Sequence, residues 1–192
     1  MIKIYYLKNM FSKSCIQLLE VVLSSNQHII IHKISLGEAI LDIDDNPETE
    51  NKLLKLFKKC GFELVKDSDD KIVERTKQAA IELIFYSYNT NSLIRNSEYI
   101  SQKLQLPYEK IAKLFKKKTK TTLEKFIIAL KIEKAKEMRV SNEFSVSEIA
   151  YMLDYSSVHY LSNQFKKTTG ITISDFKKNP TKYRVAIEDL IN

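Results

Sequence analysis

Residues 165–176 read FKKTTGITISDF, and residues 115–126 read FKKKTKTTLEKF. Phe165-Lys166-Lys167 answers Phe115-Lys116-Lys117, Thr169 answers Thr119, Thr172 answers Thr122, and Phe176 answers Phe126, at a constant offset of 50 residues. A pattern of aromatics, lysines and threonines kept in register over that distance indicates one local structure built twice.

The stretch leading into the second copy, FSVSEIAYMLDYSSVHYLSNQFKKTTG, shows what is built. Ser145 with Glu148 three residues later is a capping box that opens a short helix with Ile149, Ala150 and Leu153 on its apolar side. Asp154 stands at a tight turn, where Asp tolerates left-handed geometry. Ser156 or Ser157 then caps a second helix, with Leu161 and Phe165 inward and His159, Ser162, Asn163 and Lys166 outward. A helix, a short turn and a helix with a polar outer face make a helix-turn-helix. The first copy, SEYISQKLQLPYEKIAKLFKKKTK, repeats the design. Ile100 and Leu104 match Ile149 and Leu153, Pro107 starts the second helix, and Ile111, Leu114 and Phe115 form its inner stripe. Glu109, Lys110, Lys113, Lys116 and Lys117 are left outside. Residues 122–140 between the copies are rich in strong helix formers and lack Gly and Pro, which predicts a stiff connector about 25 Å long.

Charge divides the chain. Residues 1–68 hold nine Lys/Arg against nine Asp/Glu, and residues 69–192 hold 22 against 15, so the whole net charge of +7 lies in the second part. A neutral module joined to a basic one points to a polyanionic partner for the basic one. In the neutral part, residues 2–7, 28–34, 38–43 and 62–67 read as strands, and residues 12–25 and 47–61 as helices. Cys15, Ile16, Leu18, Leu19, Val22 and Leu23 supply the apolar face of the first helix. Gly37 is available for the turn of a hairpin. The β-α-β-β-α-β order predicts a ferredoxin-like domain with both helices on one face of an antiparallel sheet. A long helix over Lys71–Tyr88, ended by Asn89-Thr90-Asn91, opens the helical part. The expected architecture is an α+β ferredoxin-like domain over 1–68, an all-α double helix-turn-helix DNA-binding domain over 69–180 and a tail over 181–192.

The segment SVSEIAYMLDYSSVHYLSNQFKKTTGITISDFKK resembles the C-terminal signature of the AraC/XylS family of bacterial transcription regulators. The resemblance covers residues 70–178. It implies two recognition helices inserted into successive major-groove segments of double-stranded DNA. By position it places base reading on Glu109, Lys110, Lys113, Val158, His159 and Asn163. Lys116, Lys117, Lys118, Lys120, Ser162, Lys166 and Lys167 are expected at phosphates. Asn can pair with adenine and Lys with guanine, and Val158 suits a thymine methyl. The sequence departs from the family at Asp154 and Gln105, where the turn glycine is usual, and at Lys120, which stands where Gly170 stands in the second copy. RNA polymerase, a second copy joined through the N-terminal domain, and an unidentified small-molecule effector are the further partners the reading allows.

Residues 9–15, NMFSKSC, resemble the loop of heavy-metal-associated domains, in which Met and two Cys are spaced M-x-C-x-x-C. Met10 and Cys15 match, but Ser12 replaces the first cysteine. A two-coordinate soft metal needs both thiolates, so no metal and no cofactor are expected. His28 and His32 are expected on one face of a strand, too far apart to share a ligand. Two cysteines in 192 residues do not make a disulfide framework. No run of about 18 uncharged apolar residues occurs, and the expected setting is the cytoplasm. No phosphate-cradling Gly-rich loop or nucleophile motif is found, so no enzymatic activity is expected. The competing reading is a metal- or ligand-binding carrier or sensor module with a helical partner-binding tail.

Overall fold

Alternate residues of the first strand, β1 (Ile2–Lys8), face opposite ways: Tyr5 and Leu7 are buried, while Ile2 and Ile4 are exposed. This strand belongs to the first of two units into which the chain divides, Met1–Gln78 and Ala79–Asn192, in a computed structural model that describes residues 1–86 and 96–191. The first unit continues through α1 (Lys13–Ser24), β2 (Ile29–Ser35), β3 (Glu38–Ile43), α2 (Pro47–Lys59) and β4 (Glu63–Leu64). Its strands form one sheet in the order β2-β3-β1-β4, every neighbouring pair antiparallel. Tyr5, Leu7, Ala39, Leu41 and Ile43 share one core with Leu19 and Leu23 of α1 and Leu53 and Phe57 of α2. Both helices therefore cover the same face of the sheet.

Local chemistry explains the element ends. Asn46 caps α2 by accepting from the Glu48 amide at 2.9 Å, Pro47 follows it, and Glu48 and Glu50 against Lys58 and Lys59 complement the helix dipole. Leu36 and Gly37 join β2 to β3, with Gly37 at φ +69°. A Cβ there would collide with the Gln78 side chain, and Gln78 donates to the Leu7 carbonyl at 3.3 Å. Gly37 thus serves the turn and the close approach of α3 (Ser68–Ile81) together.

Several expectations are corrected here. Leu18 is 45 % exposed, because only Leu19 and Leu23 of α1 point fully into the core. The last strand pairs over two residues only, at Leu7↔Leu64 and Lys8↔Glu63. His28 and His32 do not share a strand face. His28 precedes β2 and meets Asp44 at 3.1 Å, and the β2–β3 register shifts between Ile31 and Lys33, leaving His32 at a bulge. The long helix begins at Ser68 and widens into a π-helical turn over Glu82–Tyr86. The expected stop at Asn89–Asn91 lies outside the described residues.

The second unit contains α4 (Asn96–Leu104), α5 (Tyr108–Thr119), α6 (Leu123–Ser141), α7 (Val146–Met152), α8 (Val158–Thr169), α9 (Ile173–Lys178) and α10 (Pro180–Tyr183), with a 3-10 turn at Ile187–Ile191. The repeated pattern quoted above is its joint. Phe115 packs on Phe126 with ring centroids 5.5 Å apart, and Phe165 on Phe176 at 5.7 Å. Thr119 and Thr169 each donate to the carbonyl four residues back at 2.8 Å. Thr122 and Thr172 each cap the next helix, accepting from the Lys125 and Asp175 amides at 3.2 and 3.1 Å. Lys120 and Gly170 end α5 and α8 at φ +60° and +78°. Two aromatics lock each joint and two threonines satisfy its backbone, so the pattern recurs because the same corner is turned twice.

Residues 122–140 are more than a spacer. Ile132, Ala135 and Met138 of α6 belong to the core that holds Ile149, Leu153, Leu161 and Phe165, while Phe126 stacks on Phe115. Glu133 and Lys136, both buried, pair at 2.5 Å. Lys136 Nζ also donates to the Tyr183 carbonyl at 2.6 Å, and Glu133 accepts from the Val185 amide at 3.3 Å. Residues 181–185 are thereby tied back onto α6.

The unequal corner residues give a test. Lys120→Gly relieves a left-handed non-glycine residue and should raise stability by about 1 kcal/mol, whereas Gly170→Ala should lower it by a similar amount. Urea midpoints that leave both variants at the parental value would show that the corners carry no strain.

Candidate nucleic-acid interface

The second helix-turn-helix is fixed by its caps. Ser145 accepts from the Glu148 amide at 3.2 Å and Glu148 returns to the Ser145 amide at 2.7 Å, completing the capping box. Asp154 occupies the turn at φ +56°, with its amide bonded to the Tyr151 carbonyl at 3.1 Å. Ser157 caps α8 by accepting from the Tyr160 amide at 3.1 Å. Leu161 and Phe165 are fully buried, which turns His159, Asn163, Lys166 and Lys167 outward. Val158 is 38 % exposed at the first position of the helix, and Ser162 is half-buried.

In the first copy Gln105 occupies the turn, also at φ +56°, and Pro107 precedes α5. Ile111 and Phe115 are buried, and Glu109, Lys110, Lys113, Lys116, Lys117, Lys118 and Lys120 are exposed. Glu109 in the first turn and Lys116 to Lys118 in the last also suit the helix dipole, so these charges serve the helix as well as a partner. Tyr108 donates to Glu124 Oε1 at 2.8 Å, tying the start of α5 to the start of α6. Burial, and then that hydrogen bond, hold its hydroxyl well above the ordinary tyrosine range.

The structure brings two expected residues into direct contact: Asn163 Nδ2 lies 2.9 Å from His159 Nε2. The expected residues fall less evenly when the copies are aligned on their second helices. At the 50-residue offset, Glu109, Lys110 and Lys113 answer His159, Tyr160 and Asn163, and Val158 answers Tyr108. Tyr160, which is 49 % exposed, and Tyr108 are the residues the sequence reading left out. Strict use of the offset would have found both. The turns themselves differ by one residue, because Ile100 and Leu104 match Ile149 and Leu153 at an offset of 49.

Beside the second turn, Lys131 of α6 lies over the Tyr155 ring, 5.5 Å from its centroid. Burial lowers the Lys131 pKa, and Asp154 opposes that shift. The Tyr155 hydroxyl is buried with no hydrogen-bond partner among the described residues, and burial, with Tyr160 adding, pushes its pKa up to about 12.

Residues 100–179 match the family model described as a helix-turn-helix domain. This segment is an AraC-type helix-turn-helix domain. The helix-turn-helix domain is similar to part of the uncharacterized transcriptional regulatory protein YesN of Bacillus subtilis, 36% identical over 70 residues, 35% of this chain and 19% of that protein. It is also similar to part of the xylose operon regulatory protein of Escherichia coli, 26% identical over 102 residues, 53% of this chain and 26% of that one. This chain thus spans a fifth to a quarter of these relatives. Among solved structures, the C-terminal domain of AraT, a response regulator from Geobacillus stearothermophilus, is 23% identical, covering 60% of this chain and 88% of that one with a TM-score of 0.46. No described helix is long and apolar enough to cross a membrane.

Tyr155 makes the domain's stability depend on alkaline pH. Below about pH 10 the phenol is neutral in the folded and unfolded chains alike. Between that value and about 12 only the unfolded chain gives up the proton, so stability falls as pH rises. Tyr155→Phe should remove that part of the loss, and at pH 7 should leave stability equal or higher by up to about 1 kcal/mol, since the hydroxyl lacks a partner. Urea midpoints at about pH 8 and 11 check this; an unchanged alkaline drop in the variant would overturn it.

Proposed function

We propose that the chain is a sequence-specific DNA-binding transcription regulator of the AraC type, with α5 and α8 as recognition helices for neighbouring major-groove segments. The doubled helix-turn-helix on one shared helix carries the reading, since two rooted reading helices suit a long double-stranded partner better than a small ligand. Base edges fall to Glu109, Lys110, Lys113, Val158, His159 and Asn163, with Tyr160 added. Phosphates fall to Lys116, Lys117, Lys118, Lys120, Ser162, Lys166 and Lys167, where neutralisation gives affinity without sequence information. The net charge of +7, carried by residues 69–192, supports this. The protein acts by binding rather than by catalysis, in the cytoplasm, with RNA polymerase as a further partner.

For the first unit we infer a ferredoxin-like class, supported by its β-α-β-β-α-β order and the strand order β2-β3-β1-β4. Its loop is a degenerate heavy-metal-associated loop. Met10 is buried, and Cys15 Sγ meets Ser12 Oγ at 3.4 Å where the family has a second thiolate. The unit then serves effector binding or pairing of two copies.

Selection from a random duplex pool should return a motif of two parts about one helical turn apart. Lys116→Ala and Lys117→Ala should weaken binding to the selected and to random duplexes alike, each lowering the salt slope by about one. Fluorescence-anisotropy titrations at several salt concentrations read both effects. Full-length protein that binds no duplex at low salt would sink the reading.

A further inference from the structure

We propose that His159 and Asn163 act as a single reading unit directed at adenine, with His159 as the positioning residue that sets the orientation of the Asn163 carboxamide. The inference rests on the DNA-binding reading above.

The 2.9 Å contact joins two nitrogens. An amide nitrogen can only donate, so the imidazole Nε2 must be the bare acceptor and the ring must carry its proton on Nδ1. With one Nδ2 hydrogen held by His159, Asn163 still offers the other hydrogen and the whole of Oδ1. One donor beside one acceptor is the complement of adenine, which presents N7 as acceptor and the N6 amino group as donor in the major groove. The pair stands one helical turn apart near the start of α8, where recognition helices meet base edges.

The first copy shows that the fold does not require this pair. At the same two positions it has Glu109 and Lys113, both exposed and both charged. The buried residues beneath are alike, Ile111 and Phe115 against Leu161 and Phe165. The neutral, mutually bonded pair is therefore a choice of the second copy.

Protonation of His159 has a defined consequence. An imidazolium donates from both nitrogens, so Nε2 can no longer accept. The carboxamide then turns to give Oδ1 to the ring, and the two Nδ2 hydrogens face outward. Donors alone suit guanine, which presents O6 and N7, both acceptors. A protonated His159 should thus move the reading preference from adenine toward guanine.

Of the titratable groups on the elements packed on α8, Lys125 and Arg139 of α6, the exposed Tyr151 of α7 and Lys177 of α9 stand beside others that are paired. Glu148 of α7 closes the capping box, and Asp175 of α9 pairs with Lys178 at 2.9 Å. On α6, Lys131 lies over Tyr155 with Asp154 acting on it, Lys134 pairs with Glu137 at 2.7 Å, and Glu133 pairs with Lys136. Tyr160 meets Gln164 at 3.4 Å, and Lys166 is the cation nearest in sequence on α8 itself.

The test uses the full chain and a duplex selected from a random pool at about pH 8, with every A·T pair exchanged in turn for G·C, at about pH 8 and 5.5. At one position adenine should be preferred over guanine by at least about tenfold at the higher pH, falling to about threefold or less at the lower. Asn163→Ala should abolish that preference at both. His159→Gln, whose amide oxygen can accept from Asn163 without titrating, should keep it at both, and His159→Leu should reduce it at both. The Gln variant also controls for any effect of pH on the DNA. A preference that does not respond to pH in the parent chain, or that survives unchanged in His159→Leu, would overturn the proposal. Random duplex is titrated alongside: loss of all duplex binding by the parent chain would remove the DNA-binding reading itself, whereas binding without the adenine preference removes only the inference drawn here.

Discussion

The second unit depends on how α6 is buried. Ten of its 19 residues are shielded from solvent, among them Lys131, Glu133 and Lys136, so it cannot be a rod standing in water between two domains. Its first half meets the Phe115 side of the first copy, and its second half lies in the core of the second. A helix wanted by two cores must be apolar on more than one face, and three charged residues still had to be fitted among the apolar ones. The Glu133–Lys136 pair answers that need by neutralising itself and binding the backbone at Tyr183 and Val185. Buried charges of this sort are costly unless every group finds a partner. The last residue of α10 and Val185 just beyond it supply the last partners.

On that common base the two copies keep one frame and vary its outer surface. The buried positions of α5 and α8 agree, the corners after them are the same aromatic pair and the same two threonines, and the turns adopt the same left-handed conformation at Gln105 and Asp154. Outward, α5 carries five lysines and one glutamate, a net +4, and α8 carries two lysines and no acid, a net +2. Electrostatic attraction to phosphates is independent of sequence, and hydrogen bonds from neutral groups are not. On the proposed DNA-binding reading, the first copy is accordingly built more for holding, and the second, with His159, Asn163 and Tyr160 forward, more for reading.

The first unit follows a different economy. Helices α1 and α2 cover one face of its sheet, while on the other Ile2, Ile4 and Ile30 are exposed and Lys71 of α3 lies over the Tyr6 ring. Its long edge strand, β2, is interrupted by the bulge at His32 and carries Lys33, features that discourage pairing with another edge.

Read alone, the sequence determined the elements whose causes are local. The capping box at Ser145 and Glu148, Pro47 and the acids opening α2, Gly37 in the hairpin and Asp154 in the turn act within a few residues of themselves, so they are legible in order along the chain. The doubled helix-turn-helix followed from a repeat that needs no coordinates. Only the tertiary structure decided that α6 is a shared core rather than a spacer, because burial of Glu133 and Lys136 depends on a backbone segment some fifty residues away. The fate of Leu18, the bulge at His32 and the two-residue extent of β4 were likewise set by neighbouring strands and helices. So was the bond between Asn163 and His159: helical spacing made it reachable, but the burial of Leu161 and Phe165 fixed which way both side chains face.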